Sequence, residues 1–157
     1  MKIQLWSIGK PHDQLLASAI DEYTGRITNY FDCTWKIIPP VKNSSTLNPA
    51  ELKKQEGKAI FSQLQPEDFL VLLDERGKEM NNEYLARFIQ TKANEGKKKL
   101  IFLIGGAFGA DEMVSKRANF TWSLAKLVFP HMLVRLILSE QIYRSCTILR
   151  GEKYHHS

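Results

Sequence analysis

The sequence contains few cysteines and none in a metal-binding arrangement. Cys33 and Cys146 are the only two, and neither belongs to a CxxC pair. Thiols so far apart, in a chain without export features, are expected to remain reduced and to pack as small apolar side chains. We therefore predict no disulfide and no cysteine-ligated metal ion.

The chain also lacks any long apolar run. No stretch approaches the roughly 18 uninterrupted apolar residues that cross a bilayer. The apolar part of the opening MKIQLWSIGK is too short and too interrupted for a signal peptide. The sequence therefore predicts a cytoplasmic protein that does not span a membrane. Its 157 residues, 43% apolar and 25% charged, are expected to form one globular domain.

Several catalytic motifs are absent. The glycines at 105, 106 and 109 follow neither GxGxxG nor GxxxxGK[ST], which disfavours dinucleotide and phosphate-loop enzymes. No Gx[ST]xG supports covalent acyl chemistry. The four histidines form no HxxxH or HExxH pair, so we predict no metal site. Only His131 stands out, because it follows Pro130 at a predicted helix start, where the helix dipole favours neutral imidazole. It is a candidate for proton handling or for a structural role.

Acidic residues are scarce in the last third of the chain. Residues 113–157 carry seven Lys or Arg but only Glu140 and Glu152, and this imbalance accounts for the whole net charge of +5. Such a surface suits a polyanion, because each neutralised phosphate releases condensed counterions. From charge alone, an ordinary solvated surface is the alternative.

The apolar pattern predicts alternating strands and helices. Strands are expected at 2–8, 34–38, 69–73 and 100–104, with a short strand or loop at 121–129. Helices are expected at about 12–30, from Asn48 towards Pro66, and at 81–94, 111–118 and 130–148. The continuous apolar runs 69–73 and 100–104, with a helix between them, form a βαβ unit whose parallel strands are covered on both faces. The sequence therefore predicts a single α/β domain.

Each of these two runs ends in residues suited to a ligand loop. DERGK follows the first run and GGAFG follows the second. Because ligands bind outside the carboxyl ends of strands in open α/β sheets, we expect residues 73–78 and 105–109 to lie side by side at one pocket. Paired glycines there would let a flat ligand approach the backbone closely, or would serve only a tight turn.

Polar side chains interrupt the apolar final helix at Arg135, Glu140, Tyr143 and Arg144. Arginines within an apolar helix require a partner such as a carboxylate or a phosphate, and the planar guanidinium suits both. Either the arginines hold phosphate, or Arg144 pairs internally with Glu140 at i,i+4 spacing.

Five segments, taken in order and spacing, carry a family resemblance. They are LLDERGK (72–78), FLIGGAFG (102–109), SLAKLVFPH (123–131), VRLILSEQIYR (134–144) and GEKYHH (151–156). Together they closely resemble the RlmH family, small SPOUT-class methyltransferases that modify N3 of a pseudouridine in large-subunit ribosomal RNA. The resemblance covers the whole chain, including its length and the near-terminal Tyr-His.

The resemblance implies a homodimeric α/β fold with a parallel sheet flanked by helices and a C-terminal trefoil knot. The whole chain, 1–157, would be a single SPOUT methyltransferase domain, with the knotted cofactor-binding part at about 70–157. The implied cofactor is S-adenosylmethionine, and no metal is required. Carried over residue by residue, the methyl donor is held by Leu73, Gly105, Leu124, Ala125, Lys126, Leu127, Val128 and Phe129.

The implied substrate is a pseudouridine of 23S ribosomal RNA on the assembled 70S ribosome. N3 of that base is an imide nitrogen, which must lose its proton before or during attack on the methyl group. Candidate catalytic residues are Glu140, His131 and His155, and candidate RNA-binding residues are Arg135, Arg144, Tyr154 and His156. One protomer offers little surface for RNA, so we expect the partner's tail to complete the active site.

The tail departs from the family pattern at one position. Relatives often carry Arg or Lys directly after the terminal Tyr-His, whereas this sequence has His156. If this position grips RNA, affinity is expected to weaken as the imidazole loses its proton.

Two other functions compete with this interpretation. A non-catalytic ribosome-binding factor on the same fold would bind ribosomes without binding a methyl donor. A dinucleotide-binding enzyme is disfavoured, because both GxGxxG and the acidic partner of the ribose are missing.

Overall fold

The computed structural model describes residues 1–156 and shows alternating strands and helices. The strands are β1 (Lys2–Ile8), β2 (Asp32–Ile38), β3 (Phe69–Glu79), β4 (Lys99–Ile104) and β5 (Phe120–Ser123). The helices are α1 (Gln14–Ile27), α2 (Pro49–Phe61), α3 (Asn82–Asn94), α4 (Glu112–Arg117) and α5 (His131–Leu149), with a 3-10 turn at Ser44–Thr46. The predicted α/β class and single domain are confirmed.

The five strands form one parallel sheet in the order β2-β1-β4-β3-β5. The central strand β4 is the most completely buried, and Leu100, Ile101, Phe102 and Leu103 have no exposed surface. This burial explains its unbroken apolar run, because both faces of the strand are covered. The predicted β3–α3–β4 unit is present, with Leu73 opposite Ile104 at the end of the pair.

The helices cover both faces of the sheet, and four of them begin at a residue whose side chain caps the first turn. Asp13, Asn48, Asn81 and Asp111 each accept a backbone N–H as N-caps of α1 to α4. Core residues of α1, α3 and α5 pack on one face of the sheet, and those of α2 and α4 pack on the other. The chain therefore crosses between the two layers after β5, through the loop at 124–130, before α5 begins.

Strand β3 is longer than its sequence predicts. Residues 74–78 were expected to form a loop, but the strand continues to Glu79 with an irregular register between Leu73 and Lys78, and Lys78 pairs with Trp122 of β5. A Cβ on Gly77 would lie 2.7 Å from the Thr121 carbonyl carbon, so the two backbones approach too closely for any other residue. The segment is polar because its side chains are largely exposed. This polarity is typical of a loop, so the sequence pattern does not indicate that the backbone pairs with β5.

Both cysteines are free and buried, and the residues described include no helix long and apolar enough to cross a membrane.

Candidate functional site

A cavity of about 540 Å³ opens at the carboxyl ends of β3 and β4. Three chain segments form most of its wall, namely 73–76 after the buried part of β3, 104–109 after β4, and 124–129 after β5. The first two are those that the sequence predicted to meet at one pocket. Because parallel strands end at the same edge of a sheet, the β3–β4 pairing is sufficient to bring them together.

Seven of the eight residues that the resemblance assigns to the methyl donor line this cavity. They are Leu73, Gly105, Leu124, Ala125, Leu127, Val128 and Phe129. The eighth, Lys126, does not line it. Its side chain is 88% exposed and reaches Glu79 at 3.9 Å.

The glycine turn after β4 shapes one wall. Gly106 and Gly109 form an isolated bridge in which the Gly109 N–H donates to the Gly106 carbonyl at 3.0 Å. Gly109 has a φ of 83°, in the left-handed region that favours glycine. A Cβ on Gly105 would lie 3.3 Å from the Ala110 nitrogen, so the turn closes tightly on a residue without a side chain.

The cavity lining includes both exposed apolar side chains and a charged pair. Phe108, Leu127 and Val128 are 55%, 71% and 79% exposed, an arrangement that a bound molecule or a second chain would bury. Arg76, which also lines the cavity, donates two side-chain hydrogen bonds to Asp74, and these lower the pKa of that carboxyl. The cavity therefore offers apolar contact together with a few fixed polar groups, as small-molecule sites do.

His131, the first residue of α5, lines the same cavity. Burial lowers the pKa of its imidazole, and the nearby Arg135 lowers it further, while a hydrogen bond with the Gly106 backbone acts in the opposite direction. Neutral imidazole is thereby favoured at neutral pH. A neutral ring beside the cavity can accept a proton or a hydrogen bond.

The expectation that Arg135 binds RNA requires correction. Its side chain is 1% exposed, and its guanidinium donates to the Ser7 hydroxyl at 3.2 Å and to the Lys10 carbonyl at 2.9 Å. His12 Nδ1 lies 3.2 Å from the same guanidinium. Arg135 therefore ties α5 to the loop after β1 and presents no charge to solvent.

A second group of polar residues joins α5 to the C-terminal tail and is called here the tail cluster: Glu140, Arg144, Tyr154, His155 and Glu83. Glu140 Oε1 accepts hydrogen bonds from Arg144 at 2.5 Å and from the Tyr154 hydroxyl at 3.1 Å. Of the two alternatives for Arg144, the internal ion pair with Glu140 is thus present. His155 lies between Arg144, at 3.3 Å, and Glu83 of α3, at 3.2 Å.

The tail cluster is only partly exposed and strongly interconnected. The guanidinium of Arg144 lies over the Tyr154 ring, 4.8 Å from its centroid. Burial raises the pKa of Tyr154, as do hydrogen bonding with Tyr23 and the charge of Glu140, so its phenol stays protonated and donates. His156, the last predicted RNA contact, is exposed beyond the cluster.

The candidate catalytic residues thus lie in two places within one chain. His131 is at the cavity, whereas Glu140 and His155 belong to the tail cluster. Glu140 is nine residues beyond His131 on α5, and at a rise of 1.5 Å per residue this separates them by about 13 Å. A single chain therefore does not bring all three to one reacting atom.

Sequence reasoning missed one buried acidic residue beside the glycine turn. Glu56 of α2 is buried, and its carboxylate lies against Gly106. Its burial could have been predicted from its position on the apolar face of its helix, four residues from both Leu52 and Ile60. No group of three or more metal-binding side chains occurs within residues 1–156.

The position of Lys126 leads to a specific expectation. Replacing it with alanine should change affinity for S-adenosylmethionine by less than about fivefold, or about 1 kcal/mol, because Lys126 does not line the cavity and its exposed ion pair with Glu79 contributes little to stability. Isothermal titration would measure this, with Leu127→Ala as the matched variant from the cavity wall. A larger loss for Lys126→Ala than for Leu127→Ala would contradict this view of the cavity.

Comparison with known proteins gives consistent matches over the whole chain. A family model described as "Predicted SPOUT methyltransferase" matches residues 1–155. A protein from Cytophaga hutchinsonii is 47% identical over 156 residues, covering 99% of this chain and 100% of its own. Proteins from Parabacteroides distasonis and Christiangramia forsetii are each 44% identical over 156 residues, covering 99% of both chains. All three are named "Ribosomal RNA large subunit methyltransferase H".

Proposed function

Because the chain belongs to the SPOUT methyltransferase family, we propose that it transfers a methyl group from S-adenosylmethionine to N3 of a pseudouridine in 23S ribosomal RNA. The observation that carries this proposal is the cavity, which gathers seven of the eight expected donor-binding residues at the strand ends. The names of the relatives support ribosomal RNA as the substrate class.

The cavity suits the methyl donor in size and in chemistry. Its volume of about 540 Å³ falls within the range of roughly 300–1,000 Å³ that is usual for small-molecule sites. Apolar side chains of Leu73, Leu124 and Phe129 can pack against an adenine, and the glycine turn lets the ligand approach the backbone. When bound, S-adenosylmethionine supplies an electrophilic methyl group on a sulfonium.

The protein's own residues must then orient the base and accept the N3 proton. His131 can act from the cavity wall, where its neutral imidazole is an acceptor. Glu140 and His155 can act from the tail cluster, while Arg144, Tyr154 and His156 offer contacts to phosphate or base. For transfer, N3 must lie in line with the bond between the sulfur and the methyl carbon, and these residues must hold the base in that position.

We propose that two protomers share each active site. Within one chain the tail cluster is about 13 Å along α5 from His131, and the exposed Phe108, Leu127 and Val128 provide an apolar surface for a second chain. In a homodimer the tail of one protomer would meet the donor cavity of its partner. The dimer also doubles the basic C-terminal surface presented to ribosomal RNA.

The family resemblance further suggests a trefoil knot in the part of the chain from about 70 to 157. The crossing at 124–130 is compatible with it, because this segment leads from the layer of α4 to the layer of α5 and lines the cavity at the ends of β3 and β4. The knot would hold the donor-binding loops together without a metal. Action on the assembled 70S ribosome would take place in the cytoplasm.

The test is transfer of labelled methyl from S-adenosylmethionine to intact ribosomes that lack the modification, with isolated large subunits as the control. We expect label in N3-methylpseudouridine, with intact ribosomes preferred. If a folded protein that binds the donor transfers no label to the ribosomes, the proposed substrate is wrong. Ribosome binding without donor binding would instead favour a non-catalytic ribosome-binding factor.

A further inference from the structure

One wall of the donor cavity carries a lysine that neither the sequence motifs nor the family resemblance assigns to it. Lys53 of α2 lines the cavity, whereas the other lining residues lie within 73–76, 104–109 and 124–134. Lys53 is only partly buried, so a ligand in the cavity can reach it. The cavity therefore has a cationic group on the side formed by α2.

The acidic residues near this lysine do not pair with it. None of the ion pairs within residues 1–156 includes Lys53, although Glu56 follows it by three positions on α2. On the cavity wall, Asp74 is paired with Arg76 at 2.9 Å, and Glu75 belongs to no ion pair in the same range. The wall thus offers a ligand one unpaired charge of each sign.

The proposed methyl donor has a charged end that suits this wall. Its adenosine part is uncharged, whereas its methionine part carries an α-carboxylate and an α-ammonium close to the cationic sulfonium. A lysine ammonium attracts the carboxylate and repels the two cationic groups. The apolar side chains of Leu73, Leu124 and Phe129 suit the adenine. This leaves the charged part of the lining, which includes Lys53, for the methionine part.

We infer that Lys53 is a specificity-determining residue of the donor cavity, and that its ammonium binds the α-carboxylate of S-adenosylmethionine. This inference rests on the proposed function, because that function supplies the ligand. The flexible stem of lysine lets the ammonium follow the carboxylate, and a hydrogen bond between two charged groups is among the stronger ones. The carboxylate keeps its charge throughout methyl transfer, so the contact is equally strong in the substrate complex and in the transition state.

The inference predicts that Lys53→Met no longer discriminates between ligands with and without the carboxylate. Methionine is also unbranched and forms helices about as well as lysine, but it has no charge. Affinity for S-adenosylmethionine should fall about tenfold, because a charge-assisted hydrogen bond at a partly exposed site is lost. Affinity for decarboxylated S-adenosylmethionine should stay the same or rise, since the lysine no longer repels its cationic groups. The KM for the donor should rise while kcat stays nearly unchanged, as expected when uniform binding is lost.

Titration of the full-length protein with S-adenosylmethionine, decarboxylated S-adenosylmethionine and 5′-methylthioadenosine measures these affinities. The parent should prefer S-adenosylmethionine over the decarboxylated analogue by at least about tenfold, and Lys53→Arg, which keeps the charge, should keep this preference. The parent and Lys53→Met should bind 5′-methylthioadenosine equally, because it lacks the whole amino-acid part. Lys54→Met is the matched control, since Lys54 is the next residue of α2 and is exposed outside the cavity lining. This control should leave all three affinities unchanged.

Three results would overturn the inference. The first is a Lys53→Met variant that binds S-adenosylmethionine as tightly as the parent; weaker ribosome binding by that variant would assign the lysine to RNA instead. The second is an equal loss of affinity for all three ligands, which would mean that Lys53 supports the shape of the cavity. The third is a parent protein that binds none of the ligands, which would overturn the proposed cofactor as well, whereas the first two leave methyl transfer by the parent intact.

Discussion

Replacing Gly105 with valine should abolish donor binding, with a loss of at least about 100-fold in affinity, or roughly 2.7 kcal/mol. A Cβ at this position already lies 3.3 Å from the Ala110 nitrogen and from the Gly109 carbonyl carbon. The branched side chain of valine must therefore either displace the turn or project into the cavity. Both outcomes remove the close backbone approach that a flat ligand needs.

The matched control for this substitution is Gly25→Val. Gly25 lies on α1 with no atom within 4 Å of its Cβ position, so the same change there meets open space. We expect unchanged donor affinity and a small gain in stability, because valine is the better helix former. Titration of both variants, with circular dichroism to verify folding, separates local occlusion from a general effect. Parent-like affinity in a folded Gly105→Val protein would contradict the assignment of this cavity to the donor.

The location of the site could be predicted from the sequence, because it depends on two apolar strands that are easy to recognise and on the rule that parallel strands end at the same edge of a sheet. The apolar runs at Phe69–Leu73 and Leu100–Ile104 pair in parallel as predicted, and this pairing alone fixes which loops meet. Assigning 124–129 to the same cavity required the family resemblance. Nothing in the composition of that segment shows that it returns to the ends of β3 and β4.

The departures from prediction share a physical cause. A sequence pattern indicates whether a side chain is exposed, but it does not indicate which strand or which polar group the residue pairs with. The segment 74–78 looks like a loop because its side chains are polar, yet its backbone pairs with β5 across a register shift. Arg135 and Arg144 are both arginines within an apolar helix, but Arg135 is 1% exposed whereas the Arg144 side chain is 25% exposed. Their position around the helix decides whether each arginine is a buried structural residue or a candidate RNA contact. The polar residues of α5 do not lie on one face, since Ser139 and Ser145 are buried, so its faces cannot be defined from the sequence.

Helix α5 connects the two parts of the proposed active site. It begins at the cavity with His131, is anchored through Arg135 to the loop after β1, and reaches the tail cluster at Glu140 and Arg144. A rigid helix anchored near its N-terminal end holds the two groups apart instead of allowing them to converge. The spacing thus favours an active site assembled from two protomers over one that closes within a chain.

Replacing Glu140 with glutamine should reduce methyl transfer by about 100-fold or more while leaving donor affinity within about twofold. The loss follows because the carboxylate holds Arg144 and Tyr154 in place and is itself a candidate acceptor for the N3 proton, a role usually worth 10²–10⁴-fold. Donor affinity should persist because Glu140 does not line the cavity. Single-turnover methyl transfer and titration of S-adenosylmethionine measure the two effects separately.

Glu22→Gln is the control, since Glu22 and Arg26 form an i,i+4 ion pair on the exposed side of α1. Such surface pairs contribute little to stability, so this variant should transfer methyl groups like the parent. Full activity in a folded Glu140→Gln protein would remove Glu140 from the catalytic residues. A loss of donor affinity in proportion to the rate would instead mean that the change acts through the cavity.

The same variant allows a direct test of the shared active site. When Gly105→Val and Glu140→Gln chains, each inactive alone, are refolded together, a mixed dimer contains one site with an intact cavity from one chain and an intact tail cluster from the other. About half of the dimers formed by random pairing are mixed and each has one working site of two, so roughly a quarter of the parent activity should return. An active site contained within a single chain would give no recovery at any mixing ratio, because every chain would carry one of the two defects.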